Sequence, residues 1–358
     1  MKICWLTTVA APYTIRLFEE IAKKEELCVV LDDAQEENRN DEWKIIQSDS
    51  FRLYVIDKNY RNRIKELAKE YDILVDGMYL SKYGFIAVSE FKKQNKKVVM
   101  AADGGIPKNR GFIINGLMSY LMKRHDHFLS SSVITDRYFN FYGVDSDKIS
   151  HYRFTPLSDD DIFANQLLSY HKNELREKLG IDDKFTIISV GQPIERKGFD
   201  ILVKAYLESG LTEKANLYII GGKAQDKVQK IIDDNYLTNV HFVELIGSKE
   251  LSEYYAASDL FVLCTREDIW GLVIQEAMSY GLPVITSDNC VAGLHFENKD
   301  NSVIICRSED VEDFAKAILL MFEKEDDRVK MSEKALESVR SYTIENSSRD
   351  IINNLSLL

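Results

Sequence analysis

The sequence predicts an α/β chain of two doubly wound, Rossmann-like domains facing across a cleft. Three observations lead there: short β-branched runs alternate with longer amphipathic stretches, the alternation is laid down twice, and 358 residues suffice for two domains that each bury a core. The first series of apolar runs covers Ile3 to Thr7, Leu27 to Leu31, Leu53 to Ile56, Ile73 to Asp76, Val98 to Ala101 and Phe128 to Ser131. The second covers Phe185 to Val190, Leu217 to Ile220, Val240 to Val243, Leu260 to Leu263, Val284 to Ser287 and Val303 to Cys306. Each series reads as a parallel sheet with crossover helices.

Between the two series, Thr155 to Lys172 holds a proline, the acidic triplet Asp159, Asp160 and Asp161, and no strand pattern, which reads as a linker. The expected domains are residues 1–160 and 161–342. Only helical patterns follow the last apolar run: Val311 to Glu323, Arg328 to Tyr342 and Ile344 to Leu357. The terminal helix, residues 343–358, has no strand of its own to cover and is expected to cross back to the first domain. The prolines Pro12, Pro107, Pro156, Pro193 and Pro283 flank these elements, where a missing N–H costs least.

A hydrophobic fraction of 45% and a charged fraction of 29% are those of a folded globular chain and exclude disordered and fibrous classes. No stretch approaches the roughly 18 consecutive apolar residues of a membrane span. The N-terminus turns polar within a few residues and reads as a first strand rather than an export signal. A cytoplasmic protein is expected, with peripheral attachment at the inner face of the membrane as an open variant. Of the five cysteines, Cys4, Cys28, Cys264 and Cys306 sit in apolar runs, with no pair at metal-ligand spacing, and are expected as reduced core thiols. The net charge of −12 is uneven: residues 1–160 hold 24 Lys/Arg against 24 Asp/Glu, leaving 22 against 34. Overall acidity excludes nucleic acid as the main partner, while a neutral half with local basic clusters can meet an anionic membrane.

In open α/β sheets, ligands collect beyond the carboxyl ends of the strands. The first such loop of the second series reads Val190-Gly191-Gln192-Pro193-Ile194-Glu195-Arg196-Lys197-Gly198. Its glycines bracket two cations just before a helix, so backbone amides with Arg196 and Lys197 can cradle a diphosphate. An isolated Arg-Lys-Gly is more often a solvated turn. Here a second motif accompanies it, running from Thr265 through Asp268, Trp270, Gly271, Leu272 and Glu276 to Pro283, with a strand ending near Cys264 and a helix from about Gly271 to Gly281. Asp268 precedes that helix and Glu276 lies inside it. Carboxylates there accept hydrogen bonds from sugar and ribose hydroxyls, while the helix start suits an anion. Taken singly, Asp268 is equally a cap residue and Glu276 a solvated helix position.

These motifs resemble the retaining GT-B glycosyltransferases of family four, the group-one glycosyltransferases. Their hallmark is an acid, seven intervening residues and a Glu, followed by Ala-Met-x-x-Gly-x-Pro-Val-Ile, and Asp268 to Glu276 with Ala277 to Ile285 match it. The resemblance extends to the Gly191 to Gly198 loop, to Ile220-Gly221-Gly222, to Tyr255 through Val262, and to Tyr342-Thr343-Ile344-Glu345, so it covers most of residues 185–350. It implies the GT-B fold, a nucleotide sugar as donor, no cofactor and no metal. It further implies Glu276 on the nucleotide ribose and the first acid on the donor-sugar hydroxyls. Donor-side candidates are then Gly191, Gln192, Gly222, Glu267, Trp270, Gly271, Leu272 and Glu276, with Arg196, Lys197 and Asp268 as catalytic candidates. Two departures stand out. Asp268 is a methylene shorter than the usual Glu and has Glu267 beside it, which leaves open which carboxylate meets the sugar. Gln192 replaces the Arg of the usual Gly-Arg, with Arg196 as the candidate substitute.

The first series resembles the family in topology. Its loop from Thr7 to Tyr13 has small residues, and Ala11 and Pro12 are acceptor-side candidates. Asp103, in Ala102-Asp103-Gly104-Gly105, stands where many relatives carry His; it either orients or deprotonates an acceptor hydroxyl, or caps a glycine turn. His125 and His127 read as surface or packing residues. Residues 108–124 mix Phe112, Ile113, Ile114, Leu117, Met118 and Tyr120 with Lys108, Arg110, Lys123 and Arg124. They read as a helix that packs into the core, the favoured reading, or lies on an anionic bilayer. Asp145-Ser146-Asp147 and Asp159 to Asp161 mimic a metal motif but read as a helix-start turn and a linker.

The expected reaction is retaining transfer from a nucleoside diphosphate sugar, a UDP-sugar by resemblance, to a saccharide or lipid-linked acceptor in bacterial surface polysaccharide or glycolipid synthesis. Arg196, Lys197 and the amides near Gly271 would stabilise the charge that develops on the leaving diphosphate. Two rivals remain. An epimerase-like GT-B enzyme would convert a UDP-sugar without any acceptor, and a non-catalytic GT-B partner subunit would release no nucleotide.

Overall fold

Both series of apolar runs form parallel sheets in the computed structural model, which describes residues 1–8, 11–32, 48–300 and 302–358. The contacts divide the chain into two units, Met1–Pro156 with Tyr342–Leu358, and Leu157–Ser341. In the first unit the order is β1 (Lys2–Thr7), α1 (Pro12–Ala22), β2 (Glu26–Leu31), β3 (Arg52–Val55), α2 (Tyr60–Glu70), β4 (Ile73–Asp76) and α3 (Lys82–Lys93). It continues with β5 (Lys97–Ala102), α4 (Phe112–Met122), β6 (His127–Ser130), α5 (Val133–Phe141) and β7 (Ile149–His151). The strands pair in the order β3-β2-β1-β4-β5-β6-β7.

The second unit runs α6 (Asp159–Ser169), α7 (Lys172–Leu179), β8 (Phe185–Val190), α8 (Phe199–Glu208), β9 (Ala215–Ile220), α9 (Asp226–Asp234), β10 (Val240–Val243) and α10 (Ser248–Ala257). Then follow β11 (Leu260–Leu263), α11 (Leu272–Ser279), β12 (Val284–Ser287), α12 (Val291–Asp300), β13 (Val303–Cys306), α13 (Val311–Glu323) and α14 (Glu325–Val339). Its sheet order is β10-β9-β8-β11-β12-β13. Central strands such as β4 and β11 are buried at every position, as strands covered on both faces must be. Over the second sheet, α8 buries Phe199, Leu202, Val203 and Tyr206 at helical spacing and packs with α13, joining Ile187, Leu217 and Val262 in one core. All five cysteines are buried free thiols.

The last helix, α15 (Ile344–Ser356), belongs to the first unit. Thr343 caps it by accepting from the Asn346 amide, Ile344, Ile351 and Leu355 are buried, and the helix packs on α1. Arg153 Nη1 donates to both Asp350 carboxylate oxygens at 2.9 Å, and Asn354 Nδ2 donates to the His151 carbonyl at 2.7 Å.

Three sequence expectations are corrected, and of the two readings open for His125 and His127 the structure selects packing. The stretch from Thr155 to Lys172 is largely helix α6, and the acidic triplet is its first turn: Ser158 and Asp161 form a reciprocal capping box, and three carboxylates at a helix N-terminus meet the positive end of its dipole. The first unit has a seventh strand, β7, that its sequence does not signal, because Ile149-Ser150-His151 offers one apolar residue at a sheet edge. His125 and His127 are buried, the second opening β6; His125 Nε2 lies 3.2 Å from Asp76 Oδ2 and Nδ1 3.0 Å from the Leu121 carbonyl. Finally, α4 is not a core helix. Only Met118 and Met122 are buried, while Phe112 is 94% and Ile113 85% exposed, and Ile114, Leu117 and Tyr120 are also exposed. Its cations lie beyond its ends, none between Phe112 and Met122. No helix among the described residues is long and apolar enough to cross a membrane.

Strand order reverses direction between β1 and β4 in the first sheet and between β8 and β11 in the second. The loops after these strands flank the switch points where such sheets bind ligands.

Candidate functional site

At the second switch point the loop after β8 is a short turn, Glu195–Lys197, closed by Gly198. Gly198 has φ 68°, and a Cβ there would stand 1.9 Å from the Cys264 carbonyl oxygen, so only glycine lets this loop meet the end of β11. Two hydrogen bonds then weld the loops: the Arg266 amide donates to the Arg196 carbonyl at 2.7 Å, and the Thr265 side-chain Oγ1 donates to the same oxygen at 2.9 Å. Arg266 adds a fork. Its Nη1 and Nη2 donate to Asp200 at 2.9 Å each, Nη1 also reaches the Glu195 carbonyl at 2.6 Å, and Nε bonds Glu309. Burial raises the Asp200 carboxyl, but the Arg266 hydrogen bonds and charge, with the Lys227 charge, together outweigh it and leave the group below its usual range.

This frame aims the cations. The stem of Lys197 lies over Gly191, and its Nζ donates to Asp268 Oδ2 at 2.7 Å, with both side chains about a tenth exposed (12% and 11%). Arg196 Nη1 donates to the Glu267 carbonyl at 2.7 Å and lies 3.7 Å from Asp268 Oδ2. Arg196 thus reaches the acid that Lys197 holds. Gln192 is exposed, and its carbonyl accepts from the Ile194 amide. Gly222, in the turn after β9, donates its amide to the Val243 carbonyl and packs against the Pro193 ring.

Asp268 is fixed by its backbone, which exchanges hydrogen bonds with the Asn289 carbonyl and the Val291 amide. Gly271 then turns the chain at φ 100°, a conformation closed to side chains, and opens α11 with Leu272. The Ile274 amide donates to the Gly271 carbonyl at 2.9 Å, while the Leu272 and Val273 amides, at the very start of α11, have no carbonyl one turn earlier and can be met by an acceptor from outside the helix. Trp270 is buried, its Nε1 donating to Gln275 Oε1 at 3.0 Å, so its ring packs the helix start rather than facing solvent. One turn into α11, Glu276 is partly exposed, and Tyr255 Oη donates to its Oε2 at 3.1 Å. Burial raises the Glu276 carboxyl above its usual range, opposed by the Tyr255 hydrogen bond and then by the Lys197 charge.

In the first unit, Asp103 follows β5 and accepts from Tyr152 Oη at 3.0 Å. Its side chain keeps solvent contact, yet desolvation by the surrounding protein pushes the carboxyl up to about 6, with the Tyr152 bond pulling the other way. Ala11 is fully buried and precedes Pro12, the first residue of α1; Val9 and Ala10 of that loop lie outside the described residues. The residues that sequence reasoning missed are Asp200, Arg266 and Tyr255. An Arg three residues past the end of a buried strand was the available signal for the second; the other two act through contacts made only in the fold.

Residues 171–338 match the family model described as Glycosyl transferases group 1. An uncharacterized glycosyltransferase of Haemophilus influenzae is 29% identical over 181 residues, 48% of either chain. The lipopolysaccharide glucosyltransferase WaaG of Escherichia coli is 31% identical over 119 residues, 32% of this chain and 31% of its own. The chain spans about half the length, or less, of these curated relatives. Among solved structures, Anabaena Alr3699/HepE in complex with UDP and glucose superposes with a TM-score of 0.78 over 100% of both chains at 16% identity, which shows a shared fold.

Proposed function

We propose that this chain, a GT-B protein belonging to the group-one glycosyltransferases, transfers a sugar from a nucleoside diphosphate sugar to an acceptor hydroxyl with retention of configuration. The observation that carries the reading is the convergence of Lys197, Asp268, Glu276 and the start of α11 at one switch point of the second sheet. The diphosphate sits on the first amides of α11 beside Lys197 and Arg196, and Glu276 takes the ribose. When the diphosphate draws near, Lys197 shifts its bond from Asp268 to a phosphate oxygen, leaving the carboxylate for sugar hydroxyls. Negative charge developing on the leaving group is then met by preset donors, the efficient form of electrostatic catalysis. Asp103 of the first unit orients the acceptor hydroxyl or takes its proton. UDP is the preferred nucleotide because the fold neighbour's complex holds UDP.

A lipid-linked or saccharide acceptor at a membrane surface fits both the lipopolysaccharide relative and helix α4. Its exposed Phe112, Ile113 and Leu117, bracketed by Lys108, Arg110 and Lys123, match an anionic bilayer in hydropathy and charge, and suit a protein working from the cytoplasmic side. Co-sedimentation with anionic vesicles, lost in the double variant Phe112→Ser/Ile113→Ser and absent with zwitterionic vesicles, is the expected result; equal pelleting of the double variant and the wild type removes α4 from the contact.

The test of the reaction is nucleotide release from a donor panel, with and without acceptor extracts. UDP release that depends on acceptor supports the reading. Donor conversion without acceptor points to an epimerase, and no binding or release from any donor overturns the enzymatic assignment.

A further inference from the structure

Glu276 is held from behind by a residue that no part of the reaction above uses. Tyr255 lies in the last turn of α10, is 2% exposed, and is clamped by its neighbours: its ring stacks on Tyr280 at 5.2 Å between centroids and 14° between planes, and Phe261 lies 6.2 Å away. So confined, the hydroxyl keeps one place, and from there it donates to Glu276 Oε2. The other oxygen, Oε1, accepts no hydrogen bond from any described residue, although Glu276 is partly exposed. A glutamate on a helix surface ordinarily samples several rotamers. Here one oxygen is tethered and its partner is left open to a ligand.

We propose that Tyr255 is a positioning residue for donor recognition, fixing Glu276 so that its open oxygen receives the hydroxyls of a ribose and the site selects ribonucleotides. The inference rests on the nucleotide-sugar reading and deepens it. Without the tether the carboxylate must be ordered at the moment of binding, a cost that falls only on ligands with the hydroxyls to meet it. The tether also opposes protonation, since the Tyr255 bond is the largest influence lowering the Glu276 carboxyl. Its loss moves that titration upward.

The experiment is calorimetric titration of the full chain with UDP and with 2′,3′-dideoxy-UDP. The wild type is expected to favour UDP by about tenfold or more, the span of a hydrogen bond to a charged group. Tyr255→Phe keeps the stacked ring. It should weaken UDP by about fivefold and leave the dideoxy ligand within about twofold, as an effect confined to the ribose requires. Acidification should weaken UDP binding at a higher pH in Tyr255→Phe than in the wild type. In a Glu276→Ala background, Tyr255→Phe should change nothing further; an undiminished effect there, or equal weakening of both ligands, reduces Tyr255 to a structural role and overturns the proposal. A wild type that binds neither ligand overturns the nucleotide reading instead.

Discussion

Lys197→Met isolates the charge at the centre of the site. Methionine keeps an apolar stem over Gly191, so the loop retains its packing, while the ammonium that donates to Asp268 at 2.7 Å is removed. A hydrogen bond to a charged group contributes about 1.5–3 kcal/mol. Part of that is recovered here because Arg196 already lies 3.7 Å from the same oxygen and can close on it. A net loss of about 1 kcal/mol follows, and at about 2–4 °C per kcal/mol the melting temperature falls by only a few degrees. Catalysis should suffer far more. Removing one preset donor from a developing oxyanion costs about 2.7–4 kcal/mol, or ~10²–10³ in kcat. The assay is initial-rate nucleotide release at saturating donor, paired with a thermal melt. A kcat within about threefold of wild type, with the fold intact, would refute the assignment of leaving-group stabilisation to Lys197, since that is less than 1 kcal/mol of barrier.

Gly198→Ala should destabilise the second unit by about 2–4 kcal/mol, combining the left-handed conformation with a Cβ driven onto the Cys264 carbonyl; an unchanged denaturation midpoint would show that the loop relaxes freely. As the proposed base, the Asp103 carboxyl, raised to about 6, would work only when ionised, so kcat/KM should fall as pH drops through that value. Asp103→Asn should lower the rate and erase that acidic limb, whereas a variant with the wild-type rate and profile would remove Asp103 from proton transfer. Glu276→Ala should weaken nucleotide binding by about tenfold in calorimetry, and unchanged affinity would contradict the ribose contact.

Much of the fold was legible because strands buried on both faces need unbroken apolar runs, and the runs at Phe185, Leu217 and Leu260 could be little else. What failed did so for physical reasons. In α6 the acids that look like linker charge are stabilised by a helix N-terminus, and β7 is too short and too polar to announce itself. Helical spacing of apolar residues in α4 argued for core packing, yet spacing reports that a helix forms, not what covers it. At the site, switch-point logic brings the loops after β8 and β11 side by side, which makes a meeting of Lys197 and Asp268 foreseeable. The fork from Arg266 to Asp200 and the tether from Tyr255 to Glu276 join residues far apart in sequence on different elements, and no local pattern encodes such pairs.

The most direct measurement is a crystal structure of the chain with UDP bound. The diphosphate should lie within hydrogen-bond distance of the Leu272 amide and of Lys197 Nζ, with Asp268 released from that lysine and the ribose hydroxyls on Glu276. A nucleotide bound elsewhere, or a Lys197–Asp268 pair left intact beside an empty helix start, would contradict the assignment at its root.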